Sequence, residues 1–249
     1  MDLLFDADML AFEITAICEV ETDWGDDVWT LHSDANQCRE MFDVYIQDVV
    51  DKILRKVDYE GRYNIIMCLS DDDNFRKEIL PTYKLNRVGK RKPLAYKALV
   101  KHIKDKYDVR QLKKLEADDV IGLLATKSGH KVKPIIVSCD KDFNSIPDVL
   151  LYNHRKDTIT ETTNEGADYY HLYQTLVGDQ ADNYTGCPTI GDKRATSLLE
   201  GEPTWETVVK AFEKQGLTEE DALLQARVAR ILRDGEYDYN KEEVVLWKP

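Results

Sequence analysis

Acidic residues recur where apolar runs stop, and that placement is the first sign of chemistry in the chain. Asp6 and Asp8 follow one run, Asp71 a second, and Asp140 and Asp142 a third. Glu116 and Asp119 stand three apart, which puts them on one helix face, with Asp118 alongside, and Asp179 and Asp182 repeat the spacing. Carboxylates commonly cap helices and fill turns. So many placed after buried strands or at helix entrances are expected to converge, because open α/β sheets build their sites at the carboxyl ends of strands. Two like charges 4 Å apart repel by roughly 4 kcal/mol at an effective dielectric near 20, so such a cluster requires cations. Oxygen ligands without a paired histidine select Mg²⁺ or Mn²⁺ over zinc. A calcium loop beginning at Asp140 is excluded, since Ser145 replaces its glycine and Leu151 its closing glutamate.

A second feature is basic. Residues 83–106 hold nine lysines and arginines against Asp105 alone, a local balance of +8 in a chain of −13, so the remainder carries −21. Lys84, Arg87, Lys90, Arg91 and Lys92 lie in its first half, beside Tyr83, which is available to stack on a base. Phosphate backbones are what such a patch would bind. Further on, Gly186-Cys187-Pro188-Thr189-Ile190-Gly191 leads into Asp192-Lys193-Arg194, a glycine-bounded turn entering a helix and offering free N–H groups to an anion.

The elements that must position these groups alternate. Strands are predicted at 2–5, 63–69, 134–138, 149–152 and 158–162, a hairpin turn at 24–27, and helices at 39–57 and 115–126. From about residue 164 the pattern becomes helical, at 165–176, 191–200, 204–215 and 218–233. The expected fold is α/β with a mainly parallel central sheet flanked by helices, divided into an α/β unit at 1–165 and a helical unit at 166–249. A chain of 249 residues with 43% hydrophobic and 33% charged residues excludes global disorder. Five scattered cysteines without a CxxC pair argue against a disulfide framework or zinc knuckle. No apolar run is long enough for a membrane span, and the first residues lack the pattern of a signal peptide, so a cytoplasmic protein is expected.

Five blocks, in order, resemble the flap endonuclease (5′ nuclease) family, and most closely the 5′→3′ exonucleases of short-tailed bacteriophages. They are Phe5-Asp6-Ala7-Asp8; Asp71 with Phe75-Arg76-Lys77-Glu78 and Tyr83-Lys84-Leu85-Asn86-Arg87; Leu115-Glu116-Ala117-Asp118-Asp119; Ser138-Cys139-Asp140-Lys141-Asp142-Phe143; and Gly178-Asp179 through Asp182-Asn183 to Gly191-Asp192-Lys193-Arg194. The resemblance implies a divalent-metal phosphodiesterase acting as a monomer on double-stranded DNA at 5′ ends, nicks, gaps or flaps, in the cytoplasm of a phage-infected host. It implies a helical arch at about 83–106 and a helix–three-turn–helix motif at about 176–200. By matching positions, Asp6, Asp71, Glu116, Asp118 and Asp140 would serve one Mg²⁺ and Asp142, Asp179 and Asp182 a second, with Mn²⁺ as substitute. Asp119 would be an outer ligand or a helix-start group. Asp6 and Asp140 would be catalytic with Lys84 and Arg87, which would contact the scissile phosphate beside Tyr83. Gly186, Gly191, Lys193 and Arg194 would hold duplex backbone, with K⁺ at the hairpin in many members. Thr189 stands where that hairpin usually has glycine.

Two other readings compete. Asp6-x-Asp8 after a strand also suits a haloacid-dehalogenase-type phosphatase, which gives the +8 segment no use. A non-catalytic DNA-binding protein would use the acidic sites structurally.

Overall fold

The computed structural model describes all residues from 1 to 249. In chain order the elements of the first part are β1 (Asp2–Asp6), α1 (Ala7–Ile17), β2 (Glu19–Asp23), β3 (Trp29–Ser33), α2 (Ala35–Lys56), β4 (Asn64–Cys68), α3 (Phe75–Ile79), α4 (Tyr96–Lys106), β5 (Asp108–Arg110), α5 (Ala117–Ala125), β6 (Ile135–Val137), β7 (Leu150–Asn153) and β8 (Thr158–Glu161). Four helices follow, α6 (Asn164–Val177), α7 (Asp192–Leu199), α8 (Trp205–Glu213) and α9 (Glu219–Ala229), and then a two-stranded ribbon, β9 (Tyr237–Asp238) with β10 (Glu243–Val244).

One six-stranded sheet runs β5-β4-β1-β6-β7-β8, parallel except for β8. Alternation along β1 splits the core into two layers. Leu3 and Phe5 join Met67, Ile135 and Val137 under α1, α2 and α4. Leu4 joins Ile66, Cys68 and Ile136 under α5. Both faces are covered, so the strands read as unbroken apolar runs rather than alternating ones. The chain leaves central β1 for β4 on one side and β6 on the other. The carboxyl ends of these three strands therefore flank a single crevice, the position at which α/β sheets bind ligands.

Several sequence-based boundaries shift. Helix α1 was not expected; it follows β1 without a linker because Asp6 is both the end of the strand and the cap of the helix, accepting from the Met9 N–H at 3.2 Å. The basic segment is not an arch of continuous helix. A single 3₁₀ turn (Leu85–Arg87) is followed by irregular chain through Gly89 (φ +80°) and Pro93, and α-helix begins only at Tyr96. The last helix ends at Ala229, not 233, because Arg230 turns extended and pairs with Glu236. Beyond it Ile231, Leu232 and Tyr237 pack into the α5 layer of the core. The chain thus crosses back over the boundary near 165, while Trp247 packs against His171 and Trp205 of the helical part.

Candidate active site

A cleft of about 540 Å³ opens at the carboxyl edge of the sheet. Its floor is made by Asp6 at the end of β1, Asp71 after β4, Glu116 and Asp118 at the start of α5, Asp140 and Asp142 after β6, and Asp182 from the loop after α6. Lys84, Arg87, Lys92 and Lys104 line the same cleft. Strand order brings Asp6, Asp71 and Asp140 together, and the loop after α6, tied to the turn at Thr82 and Lys84, adds Asp182.

The carboxylates feel one another. Burial, then the charges of Asp8 and Asp140, push Asp6 up to about 7. Burial, with Asp6, Asp140 and Glu116 adding repulsion, raises Asp118 well above the ordinary carboxylate range. Asp142 also rises to about 7, from burial first and then from Asp140, Asp179 and Asp182. Two overlapping groups emerge, one around Asp6, Asp118 and Glu116 and one around Asp142, Asp179 and Asp182, with Asp140 common to both. Glu116 goes the other way. Burial alone would raise it, yet Lys84 and Arg76 outweigh burial and hold it at about 2.

The donor set fits hard divalent cations: it is oxygen throughout, and Asp142 Oδ1 is buried without a hydrogen-bond partner. No three of these carboxylates converge closely enough to grasp one ion in their present rotamers. Glu116 and Asp182 are turned instead to cations of the chain itself. Lys84 Nζ lies 2.5 Å from Glu116 Oε1 and 3.5 Å from Asp182 Oδ2, and Arg87 Nη2 lies 2.5 Å from Asp182 Oδ1.

Other expected site residues lie elsewhere or do other work. Asp119 is not in the cleft. It is fully buried, receives two hydrogen bonds from Arg76 (2.6 and 2.7 Å), and accepts from the Glu116 and Leu232 N–H groups. Its oxygens are fully used, so it is the helix-start group and not an outer metal ligand. Tyr83 is buried, with its hydroxyl 2.8 Å from Glu116 Oε2 and 3.0 Å from Asp182 Oδ2, and no ring face is free to stack on a base. Asp8 also lines the cleft, and accepts from the Ser70 N–H (2.7 Å) and the Tyr96 hydroxyl (2.9 Å), one bond on each oxygen. Arg91 is held by Glu19, while Lys90 is exposed and Lys92 lies 4.2 Å from the Tyr96 ring centre. Asp179 borders a neighbouring hollow at the hairpin, 3.6 Å from Lys141.

The part played by Arg76 was not expected. Besides Asp119 it binds the Val228 and Arg230 carbonyls and reaches Glu116, joining α3, α5 and the tail around one buried cation. In the sequence Phe75-Arg76-Lys77-Glu78-Ile79 nothing sets Arg76 apart from its charged neighbours.

At the hairpin, Gly178 (φ +72°) and Gly186 (φ +63°) cross back to back. A Cβ on Gly186 would lie 2.4 Å from the Gly178 nitrogen. Gly191 precedes α7 with no side-chain cap, and Lys193 and Arg194 are exposed in its first turn. Three hairpin carbonyls that would face a K⁺ already accept hydrogen bonds within the chain. The Thr189 carbonyl already accepts from Arg194 Nη1 at 3.0 Å, that of Cys187 from the Ile190 N–H, and that of Gly191 from two amides of α7. Thr189 itself adopts φ +65° where glycine would be unstrained.

A carboxylate floor under a parallel sheet, faced by a lysine–arginine wall and a glycine-crossed hairpin, is the build of a nuclease that cleaves phosphodiesters. Residues 30–170 match the family model described as the 5′-3′ exonuclease, N-terminal resolvase-like domain. The exonuclease of Escherichia phage T7 is 30% identical over 99% of this chain and 93% of its own length. The exodeoxyribonuclease of Enterobacteria phage T3 is 30% identical over 99% and 92%. Among solved structures, the T5 D15 protein co-crystallised with metal ions shares the fold, with a TM-score of 0.68 and 15% identity over 92% of this chain and 88% of that one. This chain belongs to the 5′-3′ exonuclease family. No helix in it is long and apolar enough to cross a membrane.

Proposed function

We propose that the protein hydrolyses phosphodiester bonds of double-stranded DNA from 5′ ends, and at nicks, gaps or flaps, with two Mg²⁺ ions for which Mn²⁺ can substitute. The observation that carries this reading is the placement of nine carboxylates, Asp8 and Asp72 among them, and the Lys84–Arg87 pair on one cleft. Asp6, Asp71, Glu116, Asp118 and Asp140 would hold one ion, and Asp142 and Asp182, with Asp179 at the margin, the other. Such ions supply a water of lowered pKa and positive charge for the scissile phosphate. Lys84 and Arg87 add preorganised charge to the same phosphate. Lys92 and Lys104 draw the strand along the opposite wall, and duplex backbone rests on the first turn of α7, where uncapped N–H groups and Lys193 face solvent. Family membership disfavours both the haloacid-dehalogenase reading and a non-catalytic binder.

The test is cleavage of 5′- and 3′-labelled duplexes, blunt, nicked, gapped and flapped, with Mg²⁺ and with EDTA. Mg²⁺-dependent loss of the 5′ label is expected, and Asp140→Asn or Asp6→Asn should abolish it while leaving DNA binding largely intact. Intact 5′ ends with the wild-type protein would overturn the proposal.

A further inference from the structure

Among the carboxylates on the cleft, only Glu116 and Asp182 are paired with cations of the chain itself, and the pairing is locked in place. The backbone of Lys84 takes the left-handed conformation (φ +53°), which for a residue with a side chain costs on the order of 1 kcal/mol and persists only when surrounding contacts enforce it. Those contacts are present. The Lys84 N–H donates to the Asp182 carbonyl (2.8 Å), the Asn86 amide to the carbonyls of Gln180 and Ala181 (3.1 and 3.2 Å), and Arg87 Nε to Ala181 (3.3 Å). The 3₁₀ turn is thus fastened along the loop that carries Asp182, and its two cations are aimed at the two carboxylates. Lys92 and Lys104 line the same cleft with no carboxylate partner, so proximity to the acidic floor does not by itself produce such pairs.

We infer that Lys84 and Arg87 are built-in counter-ions that compete with divalent cations for Glu116 and Asp182, and that each cation entering the cleft passes them on to the substrate phosphate. The inference rests on the metal-dependent reading above. A metal ion and an ammonium or guanidinium 2.5 Å from the same carboxylate oxygen repel each other and share its charge, so ion entry works against the pair. A displaced cation in a cleft whose floor is now neutralised finds its next partner in an anionic phosphate. The linkage is reciprocal: DNA that draws Lys84 and Arg87 away frees the carboxylates and tightens metal binding. The two basic side chains would therefore set the order of assembly as well as stabilise charge in the reaction, and they would restrain metal loading until DNA is present.

The test is binding of Mn²⁺ alone, without DNA, followed by electron paramagnetic resonance or calorimetry. Lys84→Met keeps the side-chain stem and removes the charge, and Arg87→Met does the same at a half-exposed position where folding is not at issue. Each is expected to bind Mn²⁺ about tenfold more tightly than wild type, within the usual range of site-to-site coupling. Lys92→Met, the control, should match wild type. Unchanged or weaker Mn²⁺ affinity in Arg87→Met would overturn the inference, and so would equal tightening in Lys92→Met, which would reduce the effect to the general field of the cleft. Wild-type protein that binds no Mn²⁺ would overturn the metal-dependent reading itself and this inference with it.

Discussion

Arg76 gives Asp119 two hydrogen bonds, 2.6 and 2.7 Å long, at a point where neither side chain reaches solvent. Around that pair the start of α5, helix α3 and the tail after α9 are joined, and the same guanidinium reaches Glu116 at the edge of the cleft. Breaking a buried pair leaves an uncompensated charge, which typically costs about 3–5 kcal/mol. Asp119→Ala should lower stability to urea by that order. Lost cleavage with an unchanged denaturation midpoint would return Asp119 to the metal ligands.

Tyr83→Phe separates the two roles open to this residue. It keeps the ring and deletes the hydroxyl that binds Glu116 and Asp182. Turnover should fall about tenfold, the size of a single hydrogen bond to a charged group at roughly 1.5 kcal/mol, with affinity for duplex DNA unchanged. Weaker DNA binding at full turnover would restore stacking on a base.

His171 predicts a pH dependence of stability. Burial, reinforced by the positive charge of Arg230, lowers it to about 3, and its Nε2 lies 2.9 Å from the Ala226 carbonyl. A folded-state value below the unfolded one means that the unfolded chain binds the extra proton. The contribution is complete above the unfolded value near 6.5 and is lost as pH falls towards 3, at up to about 1.4 kcal/mol per pH unit. Denaturation midpoints of His171→Gln, followed from pH 7 to pH 4, should fall less steeply than those of wild type. Parallel slopes would show that His171 does not drive acid unfolding.

The two hairpin glycines should respond differently to alanine. At Gly186 the new Cβ meets backbone at 2.4 Å from Gly178 and 2.6 Å from Leu176, with φ at +63°. Backbone cannot yield as a flexible side chain can, so Gly186→Ala should cost about 2 kcal/mol or more and weaken duplex binding. Gly191 has φ −106° and open space at its Cβ, so Gly191→Ala should fold as wild type. Equal losses in thermal denaturation would mean that the crossing at Gly178 is not tight.

Much of the sheet is legible in sequence because strands covered on both faces are unbroken apolar runs, and the acidic residues that end them mark the cleft. Helix α1 is hidden because its first turn follows β1 without a glycine or proline and because Asp6 serves both elements. The fate of Asp119 is hidden for a different reason. Its spacing from Glu116 is that of a ligand pair, and only the fold brings Arg76, 43 residues earlier, into contact with it. Tyr83 shows the same limit, since an aromatic beside two cations has the same sequence whether its ring faces solvent or its hydroxyl is turned inward. The return of the chain after α9 to the α5 layer depends on Ile231, Leu232 and Tyr237 finding a surface made by distant strands.

The loop from Gly178 to Gly186 is fastened to the turn that carries Lys84 and Arg87, by the Lys84 and Asn86 donors already described and by the Asn183 amide on the Thr82 carbonyl at 2.6 Å. At its far end the same loop passes into the hairpin before α7. The hairpin and the Lys84–Arg87 turn are consequently held at one fixed spacing. If duplex rests on the hairpin as proposed, this fixed spacing would decide which phosphate lies over the carboxylate floor, so the chain would measure its cut by its own geometry.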